Sequence, residues 1–446
     1  APSIARLDGE FTRYHPFLYA LRSDLLLGNL KIIMEPWDLG NQGWRTGQFG
    51  IPFAEWNDRF RDCTRKFWLT DVDRMRGGEY GEMTMQDMAT RLCGSSDLFA
   101  TDPGRGSTAS VNYVACHDGF TTADLTAYAR KHNEDNGEDN NDGSNVNYSV
   151  NFGHEGPSDD PAINQHRERA TLNLLGTLLL SLGTPMLQAG DEFGNSQQGN
   201  NNAYCQDNDI TWLKWDWMYS TNKTREMRRL ETVSRLVALR KSLDLYHHED
   251  FFTRLTQLGL LKPSSRVQWF LPDGTTPMER DWFDLGVRSF TMRLLSNSEV
   301  DVCIVVNGTA DDRTFRLPPD THWTPKWCSA EINGRRAGHG TQVEECDLNG
   351  DTTVWTQHVP DASETVLKMV EEVAMQRTES STENEADTIK FAMPVTDHAA
   401  NGTSSAPRDE VSADMPDAPV DDTPDTPVDD NVWTMPALSI TLMKQV

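Results

Sequence analysis

The first half of the chain contains short, mostly apolar runs that end abruptly in polar side chains. The runs are residues 32–34 before Glu35, residues 111–115 before His117 and Asp118, and residues 185–189 before Asp191 and Glu192. Each run is too short for an ordinary helix and is of the kind found in buried parallel strands. Because the carboxyl ends of parallel strands lie at one edge of a sheet, we expect these polar residues to lie close together at that edge, around one opening.

Apolar residues at helical spacing occupy the stretches between these runs. The spacing predicts helices over residues 17–27, 85–92, 166–182 and 224–243, and a helix that follows Trp56 and Asn57 and continues through Arg65. Strands that alternate with helices are typical of an α/β fold with a parallel sheet. Residues 1–250 are therefore expected to form one α/β domain.

The pattern changes after about residue 251. Short segments with strand-like alternation begin at Val267, Arg288, Val300 and Ala437, with turn residues between them. This arrangement predicts a C-terminal antiparallel β-sandwich over residues 251–446. Within it, residues 373–430 are rich in Pro, Asp, Ser and Thr and have too little apolar surface to offset their chain entropy. We expect a disordered acidic insertion there, or alternatively an acidic interaction arm.

Composition narrows the possible partners. The net charge is -27, which argues against nucleic acid because phosphate binding needs a basic surface. No apolar run approaches the roughly 20 residues of a membrane helix, so no membrane association is expected. Seven cysteines without paired spacing suggest reduced thiols and a cytoplasmic location. A neutral substrate fits this composition best.

The first strand end has the chemistry of a sugar-cleaving site. Glu35 can protonate a leaving oxygen, and the neighbouring Trp37 offers a flat apolar face for a sugar ring. An acid that is first protonated and later ionised benefits from exclusion of water, which Pro36 and Trp37 are expected to provide. The alternative is that Glu35 only caps a helix or pairs with an arginine, and that His117 and Asp118 are only a hydrogen-bonded couple.

A long polar loop over residues 132–151 separates the second and third strand ends. Asp139, Asp142 and Gly143 resemble a calcium loop faintly, but the ligand spacing and the closing bidentate Glu are missing. Asn and Gly clusters more often mark turns, so we expect neither a metal nor a cofactor. Loops this long inside a compact domain are usually functional.

Five sequence blocks together resemble a known family. EPWD, FAEWND, ACHDGFT, HNEDNGE and GTPMLQAGDEFG occur in this order and are similar to blocks of the isoamylase and bacterial glycogen debranching branch of the α-amylase superfamily. The resemblance implies the second half of a (β/α)8 TIM-type barrel followed by a C-terminal antiparallel β-sandwich. It also implies hydrolysis of α-1,6 branch linkages in glycogen or limit dextrin, with retention and without a cofactor.

The same resemblance implies roles for individual residues. Glu35 would be the general acid and base, and Asp118 would hold sugar hydroxyls as the transition state forms. His117 would hydrogen-bond the reacting sugar, and Trp37 would line its subsite. Trp56 and Asn57 belong to the FAEWND block and are expected to bind substrate, although Trp56 could equally be a core residue.

One part of the family pattern is missing. A retaining glycosidase needs a second carboxylate about 5 to 5.5 Å from the acid. In the family, this nucleophile ends the strand before EPWD, and the residues from Ala1 to Ser3 resemble those just after it. We therefore expect the nucleophile and the first half of the barrel to precede Ala1, and the fragment itself to be inactive. The alternatives are an α-1,4-acting amylase or glucan transferase, and a non-catalytic glucan-binding fragment.

Overall fold

The computed structural model describes residues 1–40, 42–247, 251, 267–295, 301–319, 322–330, 432–437 and 439–445. These residues lie in one compact unit, which comprises Ala1–Gly350 and Asp430–Val446. The acidic insertion predicted over residues 373–430 lies outside the described residues.

The helices are α1 (Pro16–Ser23), α2 (Asp58–Arg65), α3 (Asp71–Arg76), α4 (Met85–Leu92), α5 (Ser96–Phe99), α6 (Pro161–Leu180), α7 (Arg225–Ser242) and α8 (Glu279–Phe283). The strands are β1 (Arg6–Leu7), β2 (Glu10–Phe11), β3 (Ile33–Met34), β4 (Ala54–Asn57), β5 (Ser110–Asn112), β6 (Thr184–Pro185), β7 (Val267–Phe270), β8 (Ser289–Leu294), β9 (Val302–Asn307), β10 (Arg313–Arg316), β11 (Trp323–Cys328), β12 (Val432–Met435) and β13 (Ser439–Gln445). A π-helical turn, Lys66–Thr70, joins α2 to α3.

Four strands form a parallel sheet in the order β3-β4-β5-β6. Met34 pairs with Glu55, Trp56 with Val111, and Asn112 with Pro185. The predicted parallel arrangement is therefore confirmed, although each predicted strand is longer than the paired segment. The carboxyl ends of all four strands meet at one edge, as expected.

Most helices follow their predicted positions, but two differ. α1 ends at Ser23, four residues before the predicted end, because the backbone of Asp24 is already extended. α4 begins and ends at the predicted residues, and its first turn is closed by a capping box between Thr84 and Asp87. α6 begins at Pro161, five residues before the predicted start. Asp160 caps it by accepting hydrogen bonds from the N–H groups of Ala162 and Ile163. Residues 161–166 at the start of α6 are exposed or half-buried and lack a buried apolar face, so apolar spacing alone misses them.

The C-terminal strands form a five-stranded antiparallel sheet in the order β11-β13-β9-β8-β7, and β10 pairs with β12 in a second antiparallel sheet. All six residues of β9 are buried. Ile304 and Val306 face the main core shared with the helices, whereas Cys303 and Val305 face a smaller core that includes Phe315 of β10. Burial on both faces explains why this strand has an almost continuous apolar sequence.

The helices of the first half share their core with the antiparallel sheet. Gly176 of α6 lies against the Trp327 ring of β11, where a Cβ atom would come within 2.6 Å of the indole. Arg288, which precedes β8, is buried and forms an ion pair with Asp71 of α3 at 3.1 Å. These contacts join residues from both sides of position 250. The domain boundary at that position is a prediction from the sequence.

Four cysteines in the described part of the chain, Cys63, Cys93, Cys116 and Cys205, are free thiols. None of the helices described is long and apolar enough to cross a membrane.

Candidate active site

β3 brings Glu35 and Trp37 to the carboxyl edge of the parallel sheet. β3 ends at Met34, and Pro36 lacks the backbone N–H needed to extend the ladder. The Glu35 side chain is exposed, and the Trp37 ring lies 6.1 Å from the Trp56 ring, edge to face. An acid and an aromatic ring thus leave the same strand end together.

The predicted exclusion of water from Glu35 is wrong for this structure. Pro36 is buried and Trp37 is half-buried, but Glu35 itself faces solvent. Asp38, on the same segment, forms an ion pair with Arg6, whose Nε and Nη2 lie 3.0 to 3.2 Å from the carboxylate. Hydrogen bonds from that guanidinium lower the pKa of Asp38. Asp38 is therefore held in an ion pair, whereas the Glu35 side chain is open to an incoming molecule.

β4 supplies an aromatic ring at the centre of the site. Trp56 is half-buried, and its ring lies 5.9 Å from the His117 ring and 5.4 Å from the Tyr113 ring. Together with the contact to Trp37, this places Trp56 between the ends of β3 and β5. The structure therefore brings three of the predicted residues, Trp37, Trp56 and His117, into one aromatic cluster.

Asn57 has a different position from the one expected. It is fully buried, and its Oδ1 accepts the N–H of Phe60 at 2.9 Å, which caps the start of α2. Its Nδ2 donates to the hydroxyls of Ser95 and Ser110, both at 2.8 Å. A sugar cannot reach Asn57 in this structure, so direct substrate binding by Asn57 is not supported, and its side chain instead fixes the junction of β4 and α2.

β5 leads into the turn that carries His117 and Asp118, both of which are exposed. Cys116 is buried beside them, and its Sγ lies 2.9 Å from Asp118 Oδ1. Burial, and next the Asp118 carboxylate, raise the pKa of the Cys116 thiol to about 12. The thiol is therefore protonated at neutral pH and donates to Asp118.

The possible ligand atoms of Cys116, His117 and Asp118 lie within 4.8 Å of one another, a spacing that could hold a metal ion. A metal requires the thiolate form of cysteine, and the raised pKa of Cys116 opposes it. The hydrogen bond to Asp118 already uses the thiol. We interpret the trio as a hydrogen-bonded turn.

The third polar strand end supports the scaffold. Asp191 is buried, and its Oδ1 accepts from both the N–H and the hydroxyl of Thr122 at 2.9 Å. Glu192 accepts the N–H of Gly190 at 2.9 Å. Asp191 therefore ties the segment after β6 to the segment after β5 and does not face the opening.

The long polar loop is organised by its own side chains. Lys131 directs its ammonium group at three carbonyl oxygens, those of Asn141, Asp142 and Gly143, at 3.3, 2.7 and 3.4 Å. The Asp142 carboxylate accepts from amide groups, including that of Asn136 at 2.6 Å. Asp142 and Gly143, two of the three residues that suggested a calcium loop, thus bind a lysine ammonium or asparagine amides.

Sequence reasoning missed several residues that shape the site. Tyr113 packs on Trp56 and contacts Arg61, whose Nη1 lies 3.3 Å from its hydroxyl. Cys116 and Asn201 act on the turn that holds Asp118. Cys116 stands directly before His117 in the sequence, so its proximity could have been noted. Nothing local marks Asn201, which lies far along the chain.

No protein-family model matches the chain. The glycogen debranching enzyme of Pectobacterium atrosepticum is 39% identical over 341 residues, which cover 76% of this chain and 47% of that protein. The glycogen debranching enzyme of Dickeya chrysanthemi is 47% identical over 318 residues, which cover 71% of this chain and 44% of that protein. The glycogen operon protein GlgX homolog of Haemophilus influenzae is 39% identical over 332 residues, covering 73% and 45%. Over most of its length the chain is therefore similar to glycogen debranching enzymes. It spans about half the length of the curated relatives it matches.

These similarities confirm the resemblance identified from the five sequence blocks. Among solved structures, pullulanase type I from Bacillus subtilis str. 168, complexed with maltose, is 20% identical, with a TM-score of 0.46, over 69% of this chain and 37% of that chain. The pullulanase from Anoxybacillus sp. LM18-11, complexed with maltotetraose, is 19% identical, with a TM-score of 0.44, over 67% of this chain and 36% of that chain.

Proposed function

We propose that this chain carries part of the active site of an enzyme that hydrolyses α-1,6 branch linkages of glycogen or limit dextrin with retention. The observation that carries the proposal is the convergence of Trp37, Trp56 and His117 at the carboxyl ends of three adjacent parallel strands. Glu35 and Asp118 flank these rings in sequence, and both are exposed. The names of the similar proteins, glycogen debranching enzymes, support glycogen as the substrate.

Glu35 is the proposed general acid and base. It protonates the oxygen of the branch linkage in the first step and then removes a proton from water in the second. Its exposure leaves it open to a glycosidic oxygen, and the adjacent Trp37 ring can hold the sugar in place. In the intact enzyme, bound glucan would supply the exclusion of water that Pro36 and Trp37 do not provide.

Asp118 and His117 are the proposed sugar-binding pair. Asp118 holds hydroxyl groups of the reacting sugar more tightly in the transition state than in the ground state, which accelerates the chemical step. The Cys116 thiol and the Trp56 ring orient these two side chains from the protein side. Neither role requires a cofactor.

The nucleophile completes the proposal. Retention requires a second carboxylate about 5 to 5.5 Å from Glu35. Asp38 is engaged by Arg6, and we place the nucleophile before Ala1 in the intact enzyme, within the first half of a (β/α)8 barrel. The four parallel strands would then be its second half, and the antiparallel sheets a C-terminal β-sandwich. A cytoplasmic location is part of the proposal and is supported by thiols such as Cys63 and Cys205.

The test uses the product of the complete reading frame with limit dextrin, pullulan and amylose as substrates. Debranching predicts release of reducing ends from limit dextrin and little from amylose. An enzyme that degrades amylose best would be an α-1,4 amylase, and one that only lengthens chains would be a transferase. The 446-residue chain alone is expected to show no turnover above that of its own Glu35→Gln variant. Turnover above that background would contradict the proposed position of the nucleophile.

Two variants separate the proposed roles within the complete enzyme. Glu35→Gln should keep much of its first-step rate on an activated aryl α-glucoside, because a good leaving group hardly needs protonation. Asp118→Asn should lose rate equally on the aryl glucoside and on dextrin. Glu279→Gln, an exposed substitution on α8, serves as the control. Equal losses on both substrates for Glu35→Gln would show that Glu35 is not the acid.

A further inference from the structure

The turn that carries His117 and Asp118 is connected at both ends, through Arg65 and Asn201, to Asn147 of the long polar loop. Before the turn, the Val114 carbonyl accepts from Arg65 Nε at 2.7 Å, and Arg65 Nη1 donates to the Asn147 carbonyl at 3.2 Å. After the turn, the Gly119 N–H donates to the Asn201 carbonyl at 2.8 Å. The Asn201 amide in turn donates to Asn147 Oδ1 at 2.9 Å.

These bonds form a closed circuit around the turn. Arg65, Asn147 and Asn201 are each at least nine-tenths buried, so water competes little for their donors and acceptors. Both ends of the segment 114–119 are therefore held in place. The backbone between them is fixed as well, and this sets where the exposed side chains of His117 and Asp118 point. Gly119 closes the turn with φ +113°, a conformation that glycine adopts without strain.

Asn201 is itself held in place by neighbouring polar groups. Its backbone N–H donates to Asn133 Oδ1 and its Oδ1 accepts from Asn133 Nδ2, both at 2.9 Å. Its Nδ2 also donates to the Ser144 carbonyl at 2.7 Å. The donor and acceptor atoms of the Asn201 side chain thus have partners. These bonds hold the residue in place, so its backbone carbonyl keeps one position relative to Gly119.

We propose that Arg65, Asn147 and Asn201 are positioning residues that fix the orientation of His117 and Asp118. They do not reach the substrate and act only through the turn. The consequence for sugar binding rests on the proposed function, but the positional claim does not. The long polar loop would then serve as a support for the active site, because it supplies Asn147 and the partners of Asn201.

The experiment uses the full 446-residue chain and reads the position of His117 directly. The Trp56 ring lies 5.9 Å from the His117 ring, so its ring current sets the chemical shift of the imidazole carbon-bound protons. A ¹H–¹³C correlation spectrum at one fixed pH reports this shift, with the signal assigned by His117→Gln. His166, which stacks on Phe152 at 6.3 Å, provides an internal measure of the fold.

Asn147→Ala is the principal variant. It removes the hydrogen bond between Asn147 Oδ1 and Asn201 Nδ2 and so opens the circuit, while Asn201 Nδ2 keeps its bond to the Ser144 carbonyl. Asn201→Ala is the second variant. Asn145→Ala, an exposed asparagine in the same loop, is the matched control. We expect the His117 signal to move in both circuit variants and to stay in the control, with the His166 signal unchanged throughout.

A second measurement follows the binding of maltotetraose to the same proteins by calorimetry. We expect about a tenfold loss of affinity in each circuit variant and none in the control, a ratio typical of losing one well-placed polar contact. If the His117 signal stays in Asn147→Ala and in every folded form of Asn201→Ala, the positioning claim is refuted. If the signal moves but the parent chain binds no maltotetraose, the circuit stands and the proposed function loses its support.

Discussion

Replacing Asp191 with asparagine tests the electrostatics of the scaffold behind the site. Asp191 is 1% exposed, and burial raises the pKa of its carboxyl to about 7, against the opposing effect of the two hydrogen bonds from Thr122. Its second oxygen has no hydrogen-bond partner among the described residues. The nearby Glu192 raises the pKa further, and Arg229 lowers it.

The sign of the effect follows from the direction of the shift. A carboxyl with a raised pKa binds its proton more tightly in the folded state than in the unfolded state. Its contribution to stability is therefore fully present below pH ~4 and is lost as the pH rises through about 7. Burial raises the pKa of this carboxyl from 3.8 to about 7, which corresponds to roughly 4 kcal/mol over the full pH range. Between pH 5 and pH 8 the expected loss is about 3 kcal/mol.

Asp191→Asn removes this titration and keeps a carbonyl oxygen for Thr122. The measurement is the difference in Tm between variant and parent at four pH values from 5 to 8. We expect this difference to shift in favour of the variant by several degrees across the range. Asp139→Asn is the matched control, since Asp139 is an exposed aspartate with a positive φ that asparagine also tolerates. If the Tm of parent and Asp191→Asn change in parallel with pH, the buried ionisation does not contribute as described.

Three further predictions concern stability and loop order. Glu55→Gln should cost about 3 to 5 kcal/mol in the free energy of unfolding, because it removes the carboxylate charge that balances the buried Arg105 guanidinium; a cost below about 1 kcal/mol would contradict this. Gly176→Ala should lower stability by about 1 to 3 kcal/mol through overlap with the Trp327 ring, and a second change of Trp327 to Phe should recover part of the loss in Tm. Lys131→Met should make the polar loop at least several-fold more sensitive to limited proteolysis, whereas a chelator should not affect the parent chain; the opposite pattern would indicate a metal.

The parallel sheet could be predicted from sequence because its strands carry local signals. Residues 32–34 and 111–115 are short and apolar, and each ends in residues that cannot continue a buried strand. The start of α6 could not be located from apolar spacing, because its first residues are exposed or half-buried and the Asp160 cap marks where the helix begins. The pairing order of the antiparallel sheet depends on contacts between distant segments, which no single segment encodes.

The candidate site was predictable only in part for the same reason. Glu35, Trp37, His117 and Asp118 lie at strand ends, so their approach follows from topology. Asn57 was misjudged because an asparagine that caps a helix and one that binds a sugar have the same local sequence. Glu35 was expected to be shielded by its sequence neighbours, but exposure depends on what the rest of the fold places above it.

The position of β13 also affects how the chain folds during synthesis. β13 lies between β9 and the edge strand β11, and Val306 pairs with Ile440, so an interior strand of the antiparallel sheet comes from a segment made long after its neighbours. Until residues 439–445 leave the ribosome, β9 and β11 present unpaired edges and apolar faces that favour association with other chains. An interrupted translation product would therefore lack an interior strand of the sheet, and we expect it to depend on chaperones more than its size alone would suggest.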